Sequence, residues 1–246
     1  MAKEIIDLRT ALSALEEIPG QLVSTDVEVD PAAELAGVYR HVGAGGTVAR
    51  PTKMGPAMMF NNIKGHPGAK VVIGMLADRK RVATLLNTQS EKLGFLLRDS
   101  VKNAIDPVVV GADKAKCQEV VYRAEDEGFD IRKLVPAPTN TPEDAGPYIT
   151  LGMCYAHDVE TGESDVTIHR LCLQSKDEIS MFFTPGARHL GAMREKAEAL
   201  GKPLRFLSAL VLTRLSKLLP ALSRPQLPLA LTSCPSPALF AARLWS

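Results

Sequence analysis

Four side chains in the second half of this 246-residue chain have the types that hold a metal, a carboxylate and a phosphate. Asp165 and His189 offer a carboxylate and an imidazole, a donor pair suited to a shared Mn2+ or Zn2+. Arg170 carries a planar guanidinium that can grip a carboxylate through two parallel hydrogen bonds. Arg188 follows Pro185-Gly186 and precedes a helical pattern, where backbone N–H groups and a cation can bind a phosphate. Singly these are ordinary features. A lone Asp and His more often form a surface pair, and His157 and His169 read equally well as satisfied strand histidines.

The elements that must position them are legible around the same stretch. T-N-T-P-E-D-A-G, from Thr139, is turn chemistry. Tyr148 to His157, Asp165 to Gln174 and Glu178 to Phe183 read as three strands. The turns Glu160-Thr161-Gly162-Glu163 and Ser175-Lys176-Asp177 join them into a meander. Ala187 to Leu200 has helical patterning and is closed by Gly201. Strict alternation along the second strand puts Asp165 and Arg170 on opposite faces. A pocket using both needs a bulge or an irregular strand end.

Upstream the chain is mixed α and β. Ile5, Leu8, Leu12 and Leu15 recur at helical spacing and Pro19-Gly20 stops them. Gln21 to Val29 alternates as a strand does, and Asp30-Pro31 starts a second helix through Ala33, Leu35 and Val38. Gly43, Gly45 and Gly46 resemble a phosphate cradle in composition only: they follow a helix, not a strand, and read as a plain loop. Pro56 to Phe60, Lys70 to Met75, Val108 to Val110 and Gln118 to Tyr122 read as strands, with Met58 and Met59 as core. Asp78 to Leu86 and Glu91 to Val101 read as helices.

Composition narrows the classes. Twenty-nine basic and 28 acidic residues nearly cancel, which argues against nucleic-acid binding through bulk charge. Cys117, Cys154, Cys172 and Cys234 lack C-x-x-C spacing and read as buried free thiols of a reducing compartment. The opening M-A-K-E-I-I-D-L-R has acids where a secretion signal needs a basic start and an apolar run. No run of about 18 apolar residues suggests a membrane span. The expectation is a cytoplasmic protein.

T-N-T-P-E-D-A-G-P-Y-I-T, D-V-T-I-H-R and P-G-A-R-H together resemble the UbiD family of prenylated-FMN-dependent decarboxylases. E-L-A-G-V-Y-R-H-V-G-A-G-G-T and G-P-A-M-M-F-N-N-I-K-G resemble its branch acting on phenolic acids such as protocatechuate, gallate, vanillate or 4-hydroxybenzoate. The resemblance covers about residues 1 to 204. It implies an α/β (α+β) chain: an N-terminal mixed α/β domain over 1–138, then an incomplete split β-barrel for flavin over 139–204. It also implies Asp165 and His189 as metal ligands, usually to Mn2+ with K+ nearby. Asp165, Val166, Thr167, Ile168, His169 and Arg170 would contact the cofactor, with Arg188 and His189 at its phosphate. Arg170 would be catalytic, holding the substrate carboxylate beside the flavin. Implied partners are a phenolic acid, a flavin prenyltransferase that supplies the cofactor, and further copies of the chain.

The chain departs from the family pattern in two places. P-G-A-R-H has one residue more than the expected P-G-R-H, and the extra Ala187 can displace Arg188 and His189. After Glu198 there is no acid, and leucine and proline dominate. The family's remaining metal ligand and its proton-returning acid are glutamates further along its sequence, with no counterpart here. A message for the family's Gly-Val-Asp-Pro-Ala-Ile-Glu-Ile, read one base out of register, spells the V-L-T-R-L-S-K-L of residues 211–218. The expectation is therefore a frameshifted, non-native tail over 205–246 and no turnover by this chain alone. Two other readings predict different observables: a non-catalytic truncated product binds nothing, and a split-barrel reductase binds ordinary FMN and uses a nicotinamide.

Overall fold

The computed structural model describes residues 5–44, 54–103, 111, 119–183, 186 and 189–210. Arg188, Ala187, Gly45, Gly46, Cys117, Cys234, the Val108–Val110 reading and residues 211–246 lie outside them. The described chain is mixed α and β, in two sheets.

The first sheet joins β1 (Leu22–Thr25), β2 (Ala57–Phe60) and β3 (Val71–Ile73). β1 runs parallel to β2, and β3 is antiparallel to it. Helix α1 (Leu8–Glu16) starts at Asp7, whose carboxylate accepts from Thr10 N–H while the Thr10 hydroxyl faces the Asp7 backbone. That reciprocal cap satisfies two N–H groups that a helix start otherwise strands. Leu15 of α1 packs on Leu85 of α3 (Arg79–Leu85). Leu35 and Tyr39 of α2 (Glu34–Ala44) cover Met58 and Phe60. Met58 is thus core, as its type suggested. Helix α4 (Leu93–Lys102) follows a short 3-10 turn.

One buried cation ties this half together. Arg81 is 1% exposed and donates to the carbonyls of Gly74 and Gly55 and to Gln21 Oε1. Burial pulls its pKa down from the ordinary value, with Asp78 acting the other way. The guanidinium fork here serves as an internal strut between three loops.

The second sheet is antiparallel throughout, in the order β6-β5-β4-β7. β4 (Tyr148–His157) and β5 (Ser164–Leu173) are its two long members, with β6 (Ile179–Met181) and β7 (Phe206–Ala209) at the edges. This is the expected meander, and it does not close. The register slips between Ile149 and Gly152, so that Thr150 and Leu151 of β4 face Arg170 alone. Helix α6 (Leu190–Ala199) lies over one face through Leu190, packed on Cys154, Ala156 and Leu171. Each such buried side chain contributes roughly 1.5–3 kcal/mol. Cys154 and Cys172 are buried free thiols.

The two halves meet where α2 begins. Ala33 N–H donates to Thr139 O, and Thr139 N–H to Pro31 O. Helix α5 (Ile131–Leu134), capped by the Asp130 carboxylate, was not expected from the sequence. Two strand readings are corrected. Gln21–Val29 shortens to Leu22–Thr25, and the described residues 119–122 form no strand. Val120 is 68% exposed, so no second layer there favours a pleated ladder. The sheet also continues past residue 204: Phe206 to Ala209 pair with Ala156 to Met153.

Candidate functional site

Asp165 is the second residue of β5, and His189 is the N-cap of α6. In sequence they are 24 residues apart. The β5–β6 meander returns the chain to bring them together, and His189 Nδ1 meets Asp165 Oδ2. Asp165 is 7% exposed, and its other oxygen accepts from Val166 N–H at 2.8 Å. The His189 side chain, by contrast, stays 58% exposed. The pair is therefore anchored on the strand side and open on the helix side.

The backbone of His189 is unusual. Its φ of 59° and ψ of −129° lie in a region that favours glycine. Holding a side-chain-bearing residue there costs about 1–3 kcal/mol. Nor does the imidazole cap the helix it begins. Its conformation serves the approach to Asp165, not the helix.

Carboxylate and imidazole fit a divalent ion by donor type. By number they fall short of a complete shell: among the described residues no third His, Cys, Asp or Glu joins them. An ion at this point would take Asp165 and His189 as two of its ligands.

Thr167 and His169 share the α6 side of β5 with Asp165, by strand alternation. The Thr167 hydroxyl is buried and has no hydrogen-bond partner. A buried polar atom left this way calls for an added group, such as water or a ligand. The His169 ring lies 5.1 Å from that of Phe183. Burial lowers the His169 pKa, so the ring is neutral near pH 7.

Arg170 stands on the other face. The structure does not bring it to Asp165 or His189; it is exposed and lies in line with Ile168 and Cys172. β5 keeps its alternation, so the bulge that would bring Asp165 and Arg170 to one pocket does not occur there; the irregularity lies on β4, opposite Arg170. Arg170 lies five residue steps along the strand from Asp165, roughly 17 Å of chain. A ligand reaching both must be long. Around Arg170 the face is apolar: Ile168 is 50% exposed and pairs with Met153, and Leu207 of β7 is 37% exposed. Tyr148, across from Cys172, has a raised phenol pKa, chiefly from its hydrogen bond to Cys172, while Arg170 opposes the shift.

Two further orphaned atoms appear on β4: Tyr155 Oη and His157 Nε2, both buried and unpartnered. His157 Nδ1 donates to Gly162 O, which leaves Nε2 as a bare acceptor. Sequence reading gave His157 no role beyond a strand residue and did not mention Tyr155. No local signal marks either, because their burial depends on the assembled sheet.

Comparison with known families decides the lineage. The model of the 3-octaprenyl-4-hydroxybenzoate carboxy-lyase N-terminal domain matches residues 13–100. That of the Rift-related domain of the same carboxy-lyase matches residues 108–211. This chain belongs to the UbiD family.

A gallate decarboxylase of Lactiplantibacillus plantarum is 50% identical over 204 residues, covering 83% of this chain and 42% of that protein. The apo structure of 3,4-dihydroxybenzoic acid decarboxylase from Enterobacter cloacae matches with a TM-score of 0.77 and 56% identity, over 83% of this chain and 42% of that one. The UbiD-class enzyme HmfF from Pelotomaculum thermopropionicum, in complex with FMN and as an evolved dimeric form with prFMN, matches at a TM-score of 0.71 and 31% identity. The UbiD chain described here therefore spans less than half the length of these relatives. Among its described residues no helix is long and apolar enough to cross a membrane.

Proposed function

We propose that this UbiD-family chain carries the metal-binding and carboxylate-binding parts of a non-oxidative decarboxylase for a phenolic acid such as protocatechuate, gallate, vanillate or 4-hydroxybenzoate. The convergence of Asp165 and His189, at β5 and the start of α6, is the observation that carries this reading. Bound there, prenylated FMN supplies an electron sink for the charge left on the substrate carbon as CO2 departs.

The chain's own residues then have distinct tasks. Asp165 and His189 would hold a divalent ion, Mn2+ with K+ nearby, and Arg188 would add charge for the cofactor phosphate. Thr167 and His169 would contact the cofactor on the α6 side of β5, and Val166 and Ile168 on the side of Arg170; the unpartnered Thr167 hydroxyl is free to donate to the cofactor. Arg170 grips the substrate carboxylate in a bidentate fork. Ile168 and Met153 give the aromatic ring an apolar floor that excludes water. Proton return is assigned to an acid that the family places further along its sequence, not to a described residue.

We infer further that a flavin prenyltransferase supplies the cofactor and that copies of the full-length protein assemble together. Residues 211–246 are proposed to be an out-of-register read, which sequencing of the gene tests. With two described metal donors and no assigned proton donor, the 246-residue chain alone is expected to show no turnover.

The experiment is a metal assay, an absorbance spectrum and a CO2-release assay with protocatechuate on the purified chain and on a full-length relative containing it. A prenylated-flavin spectrum and Mn2+ in the longer protein, both lost on Asp165→Ala, support the reading. Ordinary FMN with nicotinamide-linked reduction would replace it with a reductase.

A further inference from the structure

His189 is held at its side chain by Asp165 and at its carbonyl by Met193 N–H, at 3.0 Å. Its backbone conformation is nonetheless one that glycine prefers, its side chain is more than half exposed, and it makes no cap bond to α6. A residue in such a conformation relaxes to an ordinary one and takes its imidazole with it unless its contacts outweigh the strain. Contacts on the chain just before it add to that hold.

The next turns of α6 supply two grips on the connection from β6. The Arg194 guanidinium lies over the Phe183 ring, 5.5 Å from its centroid. The same ring lies 5.1 Å from that of His169 of β5 and packs on the cluster around Leu190. Phe183 is thus wedged between the helix and the sheet. One bond anchors Arg194: Nη1 donates to Glu198 Oε1 at 2.8 Å, while its buried Nε has no partner. The adjacent Glu195 accepts from Gly186 N–H at 3.4 Å through Oε1. Two consecutive helix residues therefore hold the chain at two points before His189, and neither is bonded to Asp165 or to the imidazole.

We propose that Arg194 and Glu195 are positioning residues: by clamping Phe183 and Gly186 to α6 they keep His189 in its strained conformation and its imidazole before Asp165. An aromatic ring under a guanidinium is a directional contact, which suits a clamp better than a greasy plug. The link to metal binding rests on the function proposed above; the clamp itself does not.

The test uses the full 246-residue chain and the variants Arg194→Met, Arg194→Lys, Glu195→Gln and Glu195→Ala. The first readout is the three-bond HN–Cβ coupling of His189 by NMR, which reports the sign of φ. The second is Mn2+ affinity from the EPR signal of the free ion. Arg194→Met keeps an apolar stem over Phe183 but loses the cation; it is expected to abolish the positive-φ signature and weaken Mn2+ binding about tenfold, the scale for losing a group that orients a metal ligand. Glu195→Ala is expected to shift both partway, and Glu195→Gln, which still offers an acceptor oxygen, to match wild type. Arg194→Lys, a charge without a planar face, is expected between Met and wild type.

Wild-type coupling and affinity in both Arg194→Met and Glu195→Ala would overturn the clamp. Should Arg194→Met not fold, Arg194→Lys and Glu195→Ala decide alone, on the same criterion. If the wild-type chain binds no Mn2+ yet loses its positive-φ signature in the variants, the clamp stands, and the metal reading is decided by the assay on the full-length relative.

Discussion

Lys196 Nζ lies 2.6 Å from Asp158 Oδ2, joining helix α6 to the turn between β4 and β5. Asp158 also accepts from the N–H groups of Glu160 and Thr161, so one carboxylate shapes the turn and fastens the helix. The Lys196 hydrogen bond is the main reason its pKa falls to about 2. Because the folded value lies below the ordinary one, its stabilisation is full above pH 4 and fades as pH falls toward 2. Acid titration followed by circular dichroism should show Asp158→Asn losing part of that pH dependence. Asp158→Ala, measured in urea at pH 7, should cost about 2 kcal/mol.

Arg81 gives a sharper stability prediction. Its three hydrogen-bond acceptors belong to three separate loops, and it is almost wholly buried. Arg81→Met keeps the stem but strands the carbonyls of Gly55 and Gly74. A loss of about 2–4 kcal/mol is expected, measured by urea unfolding.

Gly152 stands where the bulge ends. A methyl group there would come within 2.7 Å of Leu171 Cδ1 and 3.1 Å of His169 O. Leu171 is core and the carbonyl is backbone, so relief requires moving β5. Gly152→Ala is expected to cost about 1–3 kcal/mol in thermal or urea unfolding. It should also disturb the amide resonances of Asp165 to Leu171 in NMR.

The open sheet predicts association behaviour. Among the described residues β6 and β7 each leave one edge unpaired, and Ile168, Leu207 and Phe182 expose apolar surface nearby. Such edges and faces recruit other chains. Light scattering of the Leu207→Lys, Phe182→Lys double variant should show a larger monomer fraction than wild type at the same concentration.

Much of the architecture was readable from local pattern. Tyr148 to His157 is a largely apolar run between turn sequences, and β4 matches its reading residue for residue. Asp78 announced a helix start because a short carboxylate beside free N–H groups is a local interaction. Strand ends on the first sheet were less legible, since β1 and β3 are short and only pairing with β2 sets their limits. Ile131 to Leu134 gave no helix signal, because the four residues of α5 are too few to show a period.

The amino-acid sequence by itself determined the lineage, the mixed α and β composition of the chain, and the candidate residues Asp165, Arg170 and His189, because motif order and residue type are written along the chain. Alternation also foretold that Asp165 and Arg170 would stand on different faces. Only the tertiary structure decided that His189 comes to Asp165, that the bulge falls on β4, and that Arg194 and Glu195 reach back to grip Phe183 and Gly186. Those relations join residues brought together by strand register and helix packing, and no spacing along a chain encodes a contact that two separate elements must meet to make.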